Sequence, residues 1–268
     1  MFWYWVFWLF IFGLVIGSFL NVVVYRTIYG ESPFKGRSVC PHCKKQISWK
    51  HNIPLLSFLL LRGKCAYCKK RISWQYPVVE GLTALLFVWW YVMGKGFFLL
   101  VNTPLELVQP YFWLMVGVLL LLVLVFDLWY GVIPNAVNML LLVLVLGYRV
   151  ALVVMGIMRL EDFWLAVMAG IGLALFFYGL YLLTKRKGFG LGDVKLAPSL
   201  GLLLGLRGTM VATMLSFMSG AVVAVVLLAL GRKRFGQTIP FGPFLVLGTV
   251  MALLWHELIW EWYFGLMR

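Results

Sequence analysis

Eight runs of apolar residues divide this chain almost from end to end, and most are long enough to cross a bilayer as helices. They fall at about 3–25, 77–94, 111–127, 135–157, 163–183, 194–206, 208–230 and 241–262. A hydrocarbon core about 30 Å thick takes about 20 residues of helix. Inside it a backbone must satisfy its own hydrogen bonds, which leaves helices or a closed barrel. The sixth run is short and is expected to lie tilted or partly buried in the bundle. With 63% apolar and only 12% charged residues, little of the chain is left for a soluble fold. The expected fold class is an all-α polytopic membrane protein, with about eight transmembrane helices and a small cytoplasmic zinc-binding insert after helix one. The expected organisation is a first helix at 1–25, the insert at 26–76 and a helical bundle at 77–268. The opening run lacks a basic n-region and a small-residue cleavage site, so it reads as a retained helix.

The basic residues set the orientation. The segment after the first run carries Arg26, Lys35, Arg37, Lys44, Lys45, Lys50, Arg62, Lys64, Lys69, Lys70 and Arg71. Lys185, Arg186, Lys187 and Lys195 cluster around the start of the sixth run, and Arg232, Lys233 and Arg234 precede the eighth. With eight alternating spans these three groups share one face, which the positive-inside rule makes cytoplasmic, with both termini outside. Arg149 alone lies well within a span, and its length would let it snorkel to an interface. The net charge of +14 would suggest nucleic acid in a soluble protein. Here membrane orientation and anionic lipids account for it, and no nucleic-acid partner is expected.

All four cysteines lie in the insert, as Cys40-Pro-His-Cys43 and Cys65-Ala-Tyr-Cys68. Two C-x-x-C pairs at this separation are spaced for one tetrahedral metal, and four thiolates suit zinc. The flanks repeat, CPHCKKQISW against CAYCKKRISW, so two similar knuckles around one ion are expected. Disulfides are disfavoured in a reducing cytosol. Thioredoxin-like chemistry would need a single C-x-x-C in a βαβ setting. Four protein ligands leave no open position, so the site reads as structural, and His42 is not needed as a ligand.

Among nine acidic residues, two stand at the expected cytoplasmic ends of apolar runs: Asp127 in VFDLWYGVIPN and Asp193 in GFGLGDVKL. A carboxylate at membrane depth is costly and marks a functional candidate. Two brought together can divide general-base and general-acid work. Spacing alone leaves equal room for two independent aspartates, Asp193 merely favoured at a helix N-terminus. Other protease chemistries fit poorly. His256-Glu257-Leu258-Ile259-Trp260 lacks the second histidine of a zinc protease, and no G-x-S-x-G elbow is present.

Taken in order, these residues resemble the bacterial prepilin leader peptidases, the GxGD type of intramembrane aspartyl protease. The likeness runs through Gly17-Ser18-Phe19-Leu20-Asn21-Val22 with Tyr25-Arg26, the cysteine segment, and Asp127 with Ile133-Pro134-Asn135. It continues in Gly190-Leu191-Gly192-Asp193 with Lys195-Leu196, and in Ile239-Pro240-Phe241-Gly242-Pro243-Phe244. The resemblance implies catalytic Asp127 and Asp193, with Gly190 and Gly192 in the GxGD motif. It implies removal of the basic leader from type IV prepilins and pseudopilins at the cytoplasmic membrane face, typically between Gly and Phe. It further implies N-methylation of the new terminus with S-adenosylmethionine. Glu80 matches a family position and could bind the substrate terminus or the methyl donor. Its plain alternative is a helix N-terminal carboxylate. Gly17, Asn21 and Arg26 are further candidates for the methyl-transfer region, and Asn21 and Arg26 could instead cap and anchor the first helix. Many relatives carry a second acidic residue two positions after the first aspartate, where this chain has Trp129.

Three readings follow: a dual peptidase and methyltransferase, a peptidase whose zinc insert recruits partners, and a transporter or assembly scaffold. A transporter should place ionisable groups near the midplane and show repeated halves. The aspartates here are interfacial, which argues against it. No G-x-G-x-x-G pattern is present, so the methyl donor rests on the resemblance.

Overall fold

The computed structural model describes residues 1–97, 108–185, 188–232 and 239–265. Every regular element among them is helical, apart from two isolated bridges in the insert. In chain order the α-helices are α1 (Phe2–Ile28), α2 (Leu56–Leu60), α3 (Gln75–Phe97), α4 (Val108–Tyr130), α5 (Asn135–Val154), α6 (Leu160–Leu183), α7 (Leu191–Ala229) and α8 (Gly242–Gly265), with one 3-10 turn at Trp49–His51 before α2. Seven of these, all but α2, are long and apolar enough to cross a membrane. The chain forms two compact units, Met1–Leu122 and Val123–Arg268.

In the first unit α1 and α3 pack antiparallel through small residues. A Cβ on Gly13 would sit 2.6 Å from Ala84 Cα, and one on Gly17 2.7 Å from Glu80 Cα. Lipid tails are as apolar as leucine, so membrane helices associate by such close backbone approach. The insert between them is built largely from turns. In its first knuckle Cys40 N donates to Lys45 O at 3.0 Å and Lys44 N to Cys40 O at 2.9 Å. The second repeats this with Cys65 N to Lys70 O at 2.9 Å and Lys69 N to Cys65 O at 3.0 Å. Lys44 and Lys69 both have positive φ, 55° and 59°, and bridges Val39↔Gln46 and Lys64↔Arg71 close the two loops identically. The repeat in sequence is therefore a repeat in backbone.

In the second unit α4 ends at Tyr130; Gly131 N still donates to Asp127 O at 2.9 Å, and the φ of 64° at Gly131 turns the chain out of the helix. Glu161 and Asp162 occupy the first turn of α6, where the helix dipole favours them. The 39-residue α7 is not straight. Gly205 has φ 70° and ψ −178°, a conformation essentially confined to glycine. An unbroken helix would carry Phe217 about 40 Å from Phe189 at a rise of 1.5 Å per residue. Their ring centroids are 6.1 Å apart, so the chain folds back at Gly205 into two antiparallel limbs, 191–204 and 206–229. These limbs are the expected sixth and seventh spans, and the first is the short one. Gly170 of α6 meets Pro198 and Gly201 of the first limb almost backbone to backbone, and Gly248 of α8 lies equally close to Ser216 of the second. Arg149 reaches toward the turn between α5 and α6, where its Nη1 donates to Met158 Sδ at 3.7 Å. Its Nη2 donates at 3.2 Å to Leu203 O, a carbonyl at the end of the first limb that the break deprives of its helical partner.

Candidate active site and metal centre

The antiparallel packing in the second unit gathers four segments at one end: the end of α4, the starts of α7 and α8, and the middle of the second α7 limb. Asp127 stands in the last turn of α4 and Asp193 in the first turn of α7. Both are buried, and their carboxyl groups lie within electrostatic reach of one another. Proximity left open by spacing is thus a property of the fold. Each carboxylate is held by a glycine N–H. Gly242 N donates to Asp127 Oδ2 at 2.8 Å, and Gly190 N to Asp193 Oδ2 at 3.3 Å. The second contact is half of a capping box, which fixes Asp193 where the helix N-terminus favours negative charge.

Glycine is required here for space. A Cβ on Gly242 would fall 2.6 Å from Asp127 Oδ2, and one on Gly192 would crowd Ile133 at 3.2 Å. Lys195 Nζ donates to Asn135 Oδ1 at 2.9 Å, tying the start of α7 to the start of α5. Phe177, Phe189, Phe217 and Phe241 pack ring against ring beside these segments, with centroids 5.0–6.3 Å apart. Sequence reading missed the role of Gly242. Its signal was the IPFGPF motif, in which a glycine precedes a proline that opens a helix.

The first unit carries a separate polar cluster on facing turns of α1 and α3. Glu80 is buried on the second turn of α3 rather than at its start, which sets aside a purely N-terminal role. Its Oε2 accepts from Leu55 N at 2.8 Å, and Ser18 hydrogen-bonds to the same carboxylate. One turn away the buried Asn21 donates through Nδ2 to Tyr76 O at 3.0 Å, while its Oδ1 has no donor. Arg26 is engaged differently. Its guanidinium donates to the carbonyls of Ser32, Pro33, Lys35 and Arg37, so it orders the loop that follows α1.

Cys40, Cys43, Cys65 and Cys68 are all unpaired thiols, and their sulfurs lie within 4.8 Å of one another. Cys40 Sγ and Cys68 Sγ are 3.9 Å apart. A tetrahedral ion with Zn–S bonds of 2.3 Å requires sulfurs about 3.8 Å apart. The donor set therefore fits zinc in kind, number and spacing. The Cys68 N–H foremost, opposed by burial and helped by the Tyr67 N–H and the Cys40 and Cys68 thiols, lowers the Cys65 thiol to about 7. The Lys70 N–H favours the Cys68 thiolate, but burial and the other sulfurs outweigh it and push Cys68 up to about 11.

Comparison with known proteins bears on both units. Residues 11–93 match the bacterial peptidase A24 N-terminal domain, and residues 113–225 match the type IV leader peptidase family. A prepilin leader peptidase/N-methyltransferase of Aeromonas hydrophila is 34% identical over 280 residues, spanning 95% of this chain and 92% of that protein. Proteins of the same description from Bacillus subtilis and Legionella pneumophila are 31% and 30% identical. They also span 95% of this chain, with 96% and 93% of their own lengths covered. No solved structure matches.

Proposed function

This chain belongs to the type IV leader peptidase family, and from that premise we propose that Asp127 and Asp193 are its catalytic pair. It is a multi-pass inner-membrane enzyme, a prepilin leader peptidase with N-methyltransferase activity. The observation that carries the residue assignment is a pair of buried carboxyl groups from α4 and α7 within electrostatic reach of one another, each held by a glycine N–H. Two such groups share a proton most readily when one is charged and the other neutral. The charged one takes a proton from water as the water oxygen attacks the scissile carbonyl. The neutral one gives its proton up, the C–N bond breaks, and the nitrogen leaves as an amine. Gly242 and Gly190 keep the pair from turning away from the carbonyl during these transfers.

The basic loops support a cytoplasmic position for the aspartates, for the insert and for the cut, with both termini outside. A site there meets the junction between a basic leader and an apolar pilin helix without drawing charge across lipid. The expected cut falls between Gly and Phe, in prepilins and pseudopilins. The peptidase bundle spans 77–268. The insert, 26–76, holds structural zinc through Cys40, Cys43, Cys65 and Cys68 and carries the methyl-transfer region.

S-adenosylmethionine supplies the methyl group. A buried carboxylate beside an acceptor without a donor suits the ammonium and amino groups of that molecule, so Glu80 and Asn21 would hold it. Arg26 contributes by ordering residues 32–37. The test is to incubate the purified enzyme with a prepilin and labelled S-adenosylmethionine, and to read leader removal and methyl incorporation by mass. Both products are expected. Leader removal alone would reduce the enzyme to a peptidase, and neither product would overturn the reading.

A further inference from the structure

The insert exposes apolar side chains that the chemistry above leaves unused. Leu59 and Leu60 of α2 are 70% and 73% exposed, and Leu56 on the same helix and Trp74 beside it are also exposed. Phe58 and Trp74 join the two parts of this face, their ring centroids 5.1 Å apart. A soluble loop seldom leaves such a patch bare. Around it stand Lys50, Arg62 and Lys64, all exposed, and the whole segment 26–76 holds eleven Lys and Arg against one acidic residue, Glu31.

One hydrogen bond ties this face to a membrane-spanning helix. Leu55 N donates to Glu80 Oε2, and Glu80 lies five residues inside the start of α3. The chain entering α2 is therefore anchored to the second turn of a helix long and apolar enough to cross the membrane. Leu55 holds φ 56°, a left-handed conformation unusual for leucine, which turns the chain at that point into α2. Leu55 is thus the point at which the insert is tied to α3, and Leu56, Leu59 and Leu60 follow it on the exposed side of α2. The insert's lysines and arginine stand next to them. Apolar anchors with cations at their rim are the pattern of a segment lying in the headgroup layer, and an exposed Trp at the start of a span belongs to the same layer.

We propose that Leu56, Leu59, Leu60 and Trp74, rimmed by Lys50, Arg62 and Lys64, seat the insert into the anionic headgroup layer of the bilayer that α1 and α3 cross. The occupant of the face is lipid rather than a protein partner, because the face is tied to the start of its own membrane-spanning helix and its rim is uniformly positive. This requires no particular role for Asp127, Asp193 or Glu80 in catalysis.

The test is amide hydrogen exchange on the full-length protein in nanodiscs. One set contains phosphatidylcholine alone, and the other contains phosphatidylcholine with phosphatidylglycerol. Amides of residues 56–62 are expected to exchange severalfold more slowly in the anionic discs. High salt should remove most of that difference. The Leu59→Ser/Leu60→Ser variant should lose the protection while the amides of Cys40 and Cys65 keep theirs, which shows the insert still folded. If that variant unfolds, the comparison of the two lipids on the unaltered protein decides alone. Equal exchange in both discs, or protection that arises only when a prepilin is added, overturns the proposal.

Discussion

The backbone N–H of Gly242 donates to Oδ2 of Asp127 at 2.8 Å, joining residues 115 positions apart at the meeting of α8 and α4. A side chain at 242 would stand where that carboxylate oxygen stands, 2.6 Å away. Gly242→Ala is therefore expected to displace Asp127 rather than unfold the bundle. A misplacement of about 1 Å can cost about 100-fold in rate. Leader removal should fall by that order, while methyl transfer to an already cleaved pilin continues. Equal loss of both activities would point to general misfolding instead.

Asp127→Asn and Asp193→Asn each leave the shape of the site and remove its ability to move a proton. General acid or base catalysis contributes about 10²–10⁴ in rate. Each variant is expected to lose at least that much in leader removal, measured on a prepilin in proteoliposomes. The double variant should be little worse than either single one, because the two groups act as a unit. Appreciable turnover in either single variant would remove that residue from the chemistry.

Zinc should bind one ion per chain, and chelation should loosen both knuckles together, because the cluster takes two sulfurs from each. The pH dependence follows from Cys65. Its thiol lies at about 7, below its ordinary value, so above that pH the metal-free cluster already carries a thiolate there. Below it zinc must displace one more proton. Affinity should therefore fall as pH drops, with a slope steeper by one proton below about pH 7, as a competition titration against a chromophoric chelator would read. Cys68, pushed up to about 11, stays protonated in the metal-free cluster throughout this range and adds no break.

The parts of this architecture legible in the sequence are those written in local pattern. The apolar runs became helices because an unbroken run of about 20 apolar residues satisfies its own backbone in lipid as a helix. The knuckles repeat because CPHCKKQISW and CAYCKKRISW repeat, down to positive φ at Lys44 and Lys69. The division between the short sixth run and the seventh is real, and Gly205 makes it. The approach of Asp127 and Asp193 to within electrostatic reach was invisible to spacing, since it depends on how the ends of α4 and α7 are brought together. Gly242 was hidden for another reason: a backbone N–H has no letter of its own. The partner of Arg149 was hidden as well, since Leu203 O is left for its guanidinium only by the break at Gly205.

Glu80→Gln tests the methyl-transfer region separately. The amide keeps an acceptor for Leu55 N but loses the charge that would face an ammonium group. A hydrogen bond to a charged group contributes about 1.5–3 kcal/mol, which is about ten- to a hundredfold in affinity. Methyl incorporation at limiting S-adenosylmethionine should fall by that factor, and leader removal should be unchanged. Recovery at high methyl-donor concentration would mark a binding role. Unaltered methylation would return Glu80 to a purely structural part, holding Leu55.

Gly205 and Arg149 together set where the first limb of α7 stops, and Asp193 stands at its other end. Gly205→Ala places a Cβ 3.6 Å from Arg149 Nη2, an ordinary contact, so its cost comes from the backbone. Residues held in this region of φ and ψ cost about 1–3 kcal/mol when they are not glycine. Arg149→Ala leaves Leu203 O without its donor at the break, at a cost of about 1–3 kcal/mol for a buried acceptor. Each variant is expected to lower the melting temperature in detergent by several degrees. Because both act on one turn, the double variant should lose less than the two losses added together. Strict additivity would mean that Arg149 does not act on the break. Full peptidase activity below the melting temperature would mean that the limb holds Asp193 in place without either residue.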